Sequence, residues 1–563
     1  MKTSHTQVLI VGGGPVGLSL AIELGLRGVK CILVERRDGS IPLPKMNGVN
    51  ARSMEYCRRW GIVDRIRSAG WPVDYPRRMI FCTGARGRIL RQIDMGAMKQ
   101  PRPDEPAGTT PEPFLRCTQQ WFDPILRERA TEIQPNALRY RMQLERFVDK
   151  GDKVFADIKH AKTGETETII ADYLVGCDGA NSTVREALGI PMDGDERLSH
   201  EVNIFFESFG VFAGMPERKS VMSWLIGPKG MWGALSVVDG RRLWRLWMSG
   251  LDSKIDPATF DAESYVKAAI GEDVPFDIAG VLQWDRKAQV ARNYQCGRVF
   301  LCGDSIHTLT PTGGFGMNTG ISDAVDLGWK IAAVFDGWGG EKLLDSYEIE
   351  RRPVAVRNVD EATNSYNRIM SMPTFEHLNQ DGSQGESERH TLVQHLMSGQ
   401  YEREYRNEGI ALGFRYDPSP ICIQDGTPAP LDEVMEYQQI ARPGSRAPHT
   451  WLKDGRSTLD LFGQGFVLLR IGVGAPLADA LVDAARQRQV PMQVIELNEP
   501  EVVQLYLEPL VLVRPDGHVA WRGRAAPQNC LELIDIVRGA QWIPIESNSP
   551  EIYEFDPTRI ANK

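Results

Sequence analysis

The sequence predicts an α/β protein in three parts: a largely parallel sheet with helices, an antiparallel sheet inserted into it, and a small α/β unit towards the C-terminal end. Buried-strand and helix patterns alternate in the N-terminal third, which is typical of a parallel sheet. From about 200 to 295 the pattern changes to alternating, aromatic-rich strands. After Arg442-Pro443-Gly444 a strand and helix pattern starts again. A chain of 563 residues is also expected to form two or three domains.

Composition excludes several classes of protein. The hydrophobic content of 42% and charged content of 25% are those of a globular protein, and the net charge of −9 argues against nucleic acid or an anionic membrane as a partner. The N-terminal apolar run is short and ends in glycines, so neither a signal peptide nor a membrane span is expected. The nine cysteines are dispersed without a C-x-x-C pair. We therefore expect reduced thiols, a cytoplasmic protein and no metal site.

The first element is a complete β-α-β unit. Val8–Val11 is a buried strand, Leu18–Leu26 a helix and Cys31–Glu35 a second strand. Glycines stand between the first strand and the helix in a G-x-G-x-x-G pattern formed by Gly12, Gly14 and Gly17.

This pattern has a physical reading. The first glycine permits a tight turn, the second lets backbone N–H groups approach a pyrophosphate, and the third packs the helix on the strand. The carboxylate of Glu35 is placed to accept hydrogen bonds from a ribose, which favours FAD or NAD over a 2′-phosphorylated nucleotide. We expect two further cofactor contacts beside this motif, from Pro15 and Arg36.

Two later strands each end in an aspartate beside a glycine. Asp178-Gly179 follows the apolar run 173–177, and Gly303-Asp304 follows the apolar run 299–302. The second motif leads into a loop with glycines at 313, 314, 316 and 320, and such a density indicates that backbone must approach something closely.

These three motifs, in this order, resemble the single-component FAD-dependent aromatic hydroxylases, the group that includes p-hydroxybenzoate hydroxylase and phenol hydroxylase. The resemblance covers about residues 5 to 365. It implies a Rossmann-like FAD-binding domain with an inserted antiparallel substrate domain. It also implies an NADH- or NADPH-dependent monooxygenase that uses O₂ and a flavin C4a-hydroperoxide to hydroxylate a phenolic or related aromatic ring. The chain has no second G-x-G-x-x-G, which argues against the disulfide reductases and Baeyer–Villiger enzymes with two such motifs.

The resemblance also assigns residues to the flavin. Asp304 would bind the ribityl chain, and the backbone of Pro311, Gly314 and Gly316 would line the ring where oxygen reacts, with Pro311 and Gly314 as catalytic positions. Met317 and Asn318 would lie near the pyrimidine edge.

Other assignments concern the rest of FAD. Asp178 and Gly179 would serve FAD and NAD(P)H together, with Arg185 either supporting them or lying on a helix surface. Gln119 would contact FAD or cap a helix. Lys45 and Arg52 would contact the pyrophosphate, although the family more often has Arg at the position of Lys45.

Asn47 is a departure from the family. Relatives carry an acidic residue or a His at this position, whereas an amide cannot take up a proton and can only form hydrogen bonds. Any general base must therefore come from elsewhere, or the substrate is activated in a different way.

The substrate pocket is expected between the inserted sheet and the flavin, with Trp224, Trp232 and Pro311 as substrate contacts. Nearby apolar residues are individually more typical of a core; they are Met222, Trp244, Trp247 and Met248. Arg242 and Arg245 could pair with a substrate carboxylate, but solvated sheet residues are the default interpretation.

The C-terminal unit resembles the thioredoxin-like extension of phenol hydroxylase, and it lacks C-x-x-C, so we expect a structural or dimer-supporting role.

The partners that we expect are a small aromatic substrate, O₂ and a second copy of the chain in a homodimer. Three alternatives remain open for the whole chain: a monooxygenase of the same fold that acts on a polycyclic polyketide or drug-like aromatic, a flavin dehydrogenase or halogenase, and a non-catalytic flavin-binding protein. The domain boundaries that we expect are 1–197 and 296–375 for the two parts of the FAD-binding domain, 198–295 for the substrate sheet, 376–440 for a connecting segment, 441–545 for the thioredoxin-like domain and 546–563 for a tail.

Overall fold

A computed structural model describes residues 2–96, 102, 104, 108–251, 253–256 and 258–544. The predicted tail, 546–563, lies outside these residues. In the described part of the chain the strands are β1 (Lys2–Val11), β2 (Cys31–Glu35), β3 (Arg78–Cys82), β4 (Ile89–Asp94), β5 (Leu138–Tyr140), β6 (Met142–Asp149), β7 (Val154–His160), β8 (Thr166–Gly176), β9 (Met192–Glu207), β10 (Met222–Gly227), β11 (Gly230–Val237), β12 (Leu243–Leu251), β13 (Asp277–Ala291), β14 (Gln295–Cys296), β15 (Val299–Leu301), β16 (His307–Thr308), β17 (Phe466–Ile471), β18 (Met492–Leu497), β19 (Leu510–Val513) and β20 (Val519–Gly523).

The helices connect and cover three sheets. In chain order they are α1 (Pro15–Leu26), α2 (Ala51–Arg59), α3 (Val63–Arg67), α4 (Gln119–Ile133), α5 (Thr183–Ala187), α6 (Ala262–Ile270), α7 (Gly316–Phe335), α8 (Ser346–Met370), α9 (Ser383–Leu396), α10 (Glu408–Leu412), α11 (Asp479–Gln487), α12 (Pro500–Tyr506) and α13 (Cys530–Val537). Short 3₁₀ turns lie between some of them, including Thr312–Gly314 and Gln400–Glu404.

The first sheet has the strand order β14-β15-β8-β1-β2-β5, with the β6–β7 hairpin attached through β8. β1 pairs in parallel with β2 and β8, and β15 pairs in parallel with β8. The predicted β-α-β unit is therefore confirmed. Since the carboxyl ends of parallel strands meet at one edge, the glycine motif and both Asp-Gly motifs come together there.

The second sheet has the order β16-β13-β9-β12-β11-β10-β3-β4, and most of its neighbours are antiparallel. β3 and β4 extend this sheet, although the segment that contains them is rich in Pro, Gly and Arg and shows no strand pattern. β3 pairs in parallel with β10, with Met79 opposite Met222. β3 also pairs in antiparallel with β4, with Arg78 opposite Asp94, but both strands are short, so neither was visible in the sequence.

The third sheet, β18-β17-β19-β20, is the predicted C-terminal α/β unit. Its α11 and α13 pack with Trp329 and Trp338 at the end of α7 in a shared buried cluster. The thioredoxin-like description of this unit stays a prediction. No helix among the described residues is both long and apolar enough to cross a membrane.

Candidate active site

A cavity of about 2170 Å³ extends from the turn after β1 to one face of the second sheet. Its wall comes from all the motifs that the sequence singled out, and also from the segment between α9 and α10. Nothing in the described residues groups three or more His, Cys, Asp or Glu side chains as metal ligands.

The three glycines after β1 have different structural roles. Gly12 has a φ of +114°, and a Cβ there would lie 2.3 Å from the carbonyl oxygen of Cys177. A Cβ on Gly17 would lie 2.0 Å from the carbonyl oxygen of Gly12. Only Gly14 has nothing within 4 Å of a Cβ position, and it lines the cavity together with Pro15 at the start of α1. Two glycines thus serve packing, and the middle one leaves room for a ligand at a helix N-terminus.

Glu35 lies at the rim of this turn. Its carboxylate accepts hydrogen bonds from the backbone N–H groups of Gly13 and Arg37, each at 2.8 Å. These bonds fix the carboxylate next to the phosphate-binding turn and leave further lone pairs for a ribose. The predicted contact from Arg36 does not fit, since this side chain is exposed and outside the cavity wall, whereas Arg37 belongs to the wall.

The Asp178 motif is organised around a helix end. The Asp178 carboxylate accepts hydrogen bonds from the Thr183 hydroxyl at 3.0 Å and the Val184 N–H at 3.1 Å, so it caps α5 and stands outside the cavity wall. Its neighbour Gly179 does line the cavity. The predicted direct contact of Asp178 with a cofactor is thus replaced by a role in shaping the turn.

Arg185 is buried and connects the two aspartate motifs. Its guanidinium donates to the carbonyl oxygens of Ala180 at 3.2 Å and Ser305 at 3.1 Å. The surface-helix interpretation was wrong, and a supporting role fits.

Asp304 follows β15 and opens into the cavity. Enclosure by protein raises the pKa of its carboxyl group, while His307 and Lys45 act in the opposite direction. A bound hydroxyl that donates to this carboxylate would favour its charged form.

The glycines of the following loop have two different structural roles. Gly303 and Gly320 let chain segments approach α1, because a Cβ on either would lie 2.9 Å or less from the Val16 side chain. Gly314 has a φ of +69° and open space around its Cβ position, and it lines the cavity with Pro311. The question of what comes close to this loop therefore has two answers: a helix at its ends, and the cavity in its middle.

Asn318 holds the loop in place. It accepts from the backbone N–H of Asn50 at 3.0 Å and donates to the carbonyl oxygen of Gly314 at 2.8 Å. Gly316, Met317 and Asn318 all line the cavity, as expected.

Lys45 and Gln119 lie together on the opposite wall. The Gln119 side chain accepts from the backbone N–H of Lys45 at 3.1 Å and donates to Asp123 at 3.0 Å, and both residues line the cavity.

Arg52 does not fit a pyrophosphate contact. Its guanidinium donates to Glu55 and to the carbonyl oxygen of Asp516, each at 2.8 Å, and it stands outside the cavity wall. Asp516 belongs to the C-terminal unit, so this partner is 464 residues away in the chain. Only the tertiary fold could show that the Arg52 guanidinium already has hydrogen-bond partners within the protein.

Asn47 contributes an unsatisfied hydrogen-bond acceptor to this wall. It lines the cavity, and its side-chain oxygen is buried with no hydrogen-bond partner among the described residues. A buried unpaired acceptor is costly unless a bound molecule donates to it.

One face of the second sheet forms the far wall. Residues that alternate along the strands share this face; they are Met222, Trp224, Ala234, Ser236, Asn203, Phe205, Arg245, Trp247, Leu282 and Trp284. The substrate contact predicted for Trp224 fits this placement.

Trp232 lies on the other face, so its predicted substrate contact does not fit. The register between β10 and β11 shifts near Leu225, with Ile226 opposite Met231, which leaves Trp232 as an extra residue. Such a bulge reverses the side-chain alternation, and Trp232 packs against the core behind the sheet.

Arg245 is the arginine of this face, whereas Arg242 is exposed and pairs with Glu207 at 3.4 Å. Burial lowers the pKa of the Arg245 guanidinium to about 10. Burial, and then repulsion from Arg245, lowers the pKa of Arg116 to about 9. Neither guanidinium forms an ion pair with a described residue, and both Nε atoms lack partners. The solvated-residue interpretation of Arg245 was wrong.

Glu404 closes the cavity between this face and the glycine-rich loop. Burial raises the pKa of its carboxyl group to about 7. The sequence offered no signal for it, because the surrounding segment is polar and resembles a connection.

Several observations fit an FAD in this cavity: open backbone at Gly14 and Gly314, the Asp304 carboxylate in the wall, the Glu35 carboxylate bound to the Gly13 N–H just outside the wall, and the unpaired oxygen of Asn47. These residues would hold the pyrophosphate at the α1 N-terminus, the ribityl chain at Asp304 and the flavin ring against the Pro311–Gly314 backbone.

Comparisons with known proteins agree. Residues 5–362 match the family described as FAD binding domain, and residues 441–538 match the family described as aromatic-ring hydroxylase, C-terminal. The FAD-dependent monooxygenase apdD of Emericella nidulans is 33% identical over 559 residues, covering 92% of this chain and 87% of its own. Tetracenomycin B2 monooxygenase-dioxygenase of Streptomyces olivaceus is 32% identical, covering 95% and 98%.

A solved structure of RebC, soaked with chromopyrrolic acid and with 7-carboxy-K252c bound, superposes with a TM-score of 0.89 at 39% identity and covers 96% of this chain and 100% of its own. The expected fold and cofactor are thus confirmed: the chain belongs to the FAD-dependent aromatic-ring hydroxylases that combine an FAD-binding domain with the family's own C-terminal domain.

Proposed function

We propose that this protein hydroxylates a polycyclic aromatic acid, with NADH or NADPH as reductant and O₂ as oxygen source. FAD, when bound, supplies the redox chemistry by accepting a hydride and activating O₂. The protein's own residues position the substrate, exclude water and provide fixed charge. The observation that carries the substrate class is the pair of half-buried guanidiniums of Arg116 and Arg245 in the cavity wall, which form no ion pair with a described residue and whose Nε atoms are buried without partners.

Two half-buried like charges are unfavourable on their own. A buried ion needs a partner to offset the loss of hydration, and charge-assisted hydrogen bonds to a carboxylate supply it. Arg116 already donates to the carbonyl oxygen of Val237 at 2.6 Å and stacks 4.7 Å from the Trp71 ring centroid, so its position is fixed before a ligand arrives. Arg245 lies on the same wall with its Nε free. This arrangement suits a substrate carboxylate.

The size of the cavity supports a ligand larger than one ring. Typical ligand sites measure about 300–1,000 Å³, whereas this cavity measures about 2170 Å³ and must contain the flavin as well as the substrate. The RebC structure carries a carboxy compound, which agrees with an acid. A single-ring phenol, a neutral polyketide and a non-catalytic flavin-binding role are the alternatives that the experiment separates. A homodimer stays a prediction.

The test is oxidation of NADH and NADPH by the FAD-loaded protein, with O₂ uptake and product identification. The panel contains polycyclic aromatic acids, their matched carboxamides and simple phenols. We expect the acids to stimulate oxidation and to yield products that gain one oxygen atom, and the carboxamides to do so at least tenfold less. Equal stimulation by acid and carboxamide would overturn the substrate class, and no oxygenated product from any compound would overturn the activity.

A variant pair sharpens this test. Arg245→Gln removes the cavity guanidinium, and Arg242→Gln makes the same change at an exposed residue immediately before β12. We expect KM for the acid to rise only in the first variant, since rim charges that face solvent contribute little.

A further inference from the structure

Glu404 stands where a substrate's proton must go. It ends the 3₁₀ turn Gln400–Glu404, and it lines the cavity between the Gly313-Gly314 backbone and Trp224. We propose that Glu404 is the catalytic proton acceptor of this enzyme, which takes the proton from a substrate hydroxyl or ring N–H. This inference rests on the proposed function, because it assumes an aromatic substrate in the cavity.

The hydrogen bonds around Glu404 have a defined direction. The indole N–H of Trp224 donates to the Tyr405 hydroxyl oxygen, and since an indole N–H can only donate, the Tyr405 hydrogen is free to point elsewhere. The Tyr405 hydroxyl and the backbone of Gly313 both lie near the Glu404 carboxyl group and act to lower its pKa, against the effect of burial. Glu404 therefore connects the tryptophan wall to the loop that faces the flavin ring.

The turn itself is held against that loop. Asn407 donates from its side-chain nitrogen to the carbonyl oxygen of Glu404 at 2.9 Å and to that of Gly313 at 3.4 Å. This clamp sets the Glu404 carboxyl group relative to the loop backbone, which a proton acceptor requires.

The charges that face Glu404 are already neutralised by other groups. Arg286 of β13 pairs with Glu201 at 3.0 Å, and Arg368 of α8 pairs with Glu361 at 2.7 Å. Glu404 has no ion pair with a described residue, and burial holds the pKa of its carboxyl group at about 7. A carboxyl group in this range is half ionised near neutral pH, where acid–base catalysis works best. The amide of Asn47 cannot perform this step.

The step balances without a further reactant. The substrate O–H or N–H bond breaks, its electron pair stays on the substrate, and the proton forms a new O–H bond on the Glu404 carboxylate. The ring gains electron density at the carbon to be hydroxylated. After oxygen transfer the proton returns to the product or leaves to water.

The experiment compares Glu404→Gln with Glu402→Gln in the FAD-loaded protein. Glu402 lies on the same turn, pairs with Arg91 at 2.7 Å and stands outside the cavity wall, so it is a matched control. We expect kcat/KM for the acid found by the substrate panel to fall by about 10²–10⁴-fold in Glu404→Gln and little in the control. The wild-type rise of kcat/KM with pH near 7 should disappear in the same variant. A purely structural role would leave the pH profile unchanged and would overturn the proposal.

A binding measurement decides the point without turnover. The probe is 4-nitrophenol, whose ionised form has its own visible absorption band, added to the oxidised FAD-loaded protein at about pH 7, where the Glu404 carboxyl group is half ionised. After subtraction of the spectrum of free probe at the same pH, we expect a stronger phenolate band from bound probe in wild type and in Glu402→Gln than in Glu404→Gln. Equal bands in all three proteins, or no bound probe in wild type, would overturn the proposal. If wild type binds phenolate but oxygenates nothing in the substrate panel, the proposed function fails while the inference about Glu404 stands.

Discussion

Two regions of this molecule enclose arginine and glutamate side chains, and they differ in whether these side chains have ion-pair partners. At the contact between the FAD-binding part and the C-terminal unit, Arg514 pairs with Glu350 at 2.5 Å and with Asp326 at 3.0 Å. In the cavity, Arg245 has no such partner and Glu404 has no cation of its own. The same residue types therefore form ion pairs in one region and form none with described residues in the other.

The difference appears in the direction of the carboxyl pKa shifts. At the domain contact the Glu350 carboxylate is enclosed by protein, yet Arg514 and Lys330 outweigh that burial and bring its pKa down to about 2. In the cavity burial prevails and the pKa of Glu404 is about 7. Completed ion pairs hold a structure together, whereas incomplete ones mark where a ligand completes the site.

The largest expected effect comes from breaking the satisfied region. Arg514→Met leaves Glu350 and Asp326 buried with less positive charge, and we expect the free energy of unfolding to fall by about 3–5 kcal/mol. Urea denaturation of the FAD-loaded protein measures this. Arg524→Met is the control, because its side chain is 91% exposed and 3.8 Å from Glu508, and should change stability by less than about 0.5 kcal/mol. Equal losses in both variants would contradict the comparison.

The next effect is a pH dependence that comes from the open region. The folded pKa of Glu404, about 7, lies above the ordinary value of 4.5. The protonated Glu404 carboxyl group therefore makes its full contribution to the free energy of unfolding below pH 4.5. This contribution, on the order of 2 kcal/mol, is lost as the pH rises through 7. The stability difference between wild type and Glu404→Gln, followed from pH 4.5 to 8 by urea denaturation, should shift in favour of the variant. A difference that does not change with pH would contradict the assigned pKa.

Glu350 should show the opposite sign. Its folded pKa of about 2 lies below the ordinary 4.5, so its contribution is present above pH 4.5 and is lost as the pH falls towards 2. Wild type should accordingly lose more stability than Glu350→Gln between pH 4.5 and 3 in the same assay, by roughly 2 kcal/mol. Parallel pH curves would show that Glu350 does not hold this charge.

The smallest effect on stability is expected at Arg245. Arg245→Gln removes repulsion with Arg116, so we expect the unfolding free energy of the ligand-free protein to stay level or to rise by about 1 kcal/mol. Thermal unfolding with and without an aromatic acid measures both the stability of the ligand-free variant and its affinity for the acid, because the acid should raise Tm in wild type and not in the variant. A loss of stability as large as that of Arg514→Met would show that Arg245 has a structural partner.

Much of the flavin site was predictable because its motifs are local. The roles of the glycines at 12, 14 and 17 follow from the strand, turn and helix that surround them, and the Asp304 loop follows from its own glycine spacing. Backbone requirements of this kind are visible in a few consecutive residues. They account for the family, the fold and the flavin-facing loop.

The substrate region was less predictable because its side chains depend on distant partners. A one-residue bulge moved Trp232 to the core face, and Asp516 of the C-terminal unit occupied Arg52. The raised pKa of Glu404 comes from burial beside Gly313 and Tyr405, which the sequence does not show.

The sequence by itself determined where the backbone must be free of side chains, because glycines mark those positions. That pattern identified the cofactor and the family. The tertiary structure alone decided which charged side chains are satisfied. The physical reason is that conformational demands on glycine act within one turn of chain, whereas the energy of a buried charge depends on every group brought around it by folding. Arg514 and Arg245 look alike in the sequence, and only their surroundings separate a structural ion pair from a proposed binding site.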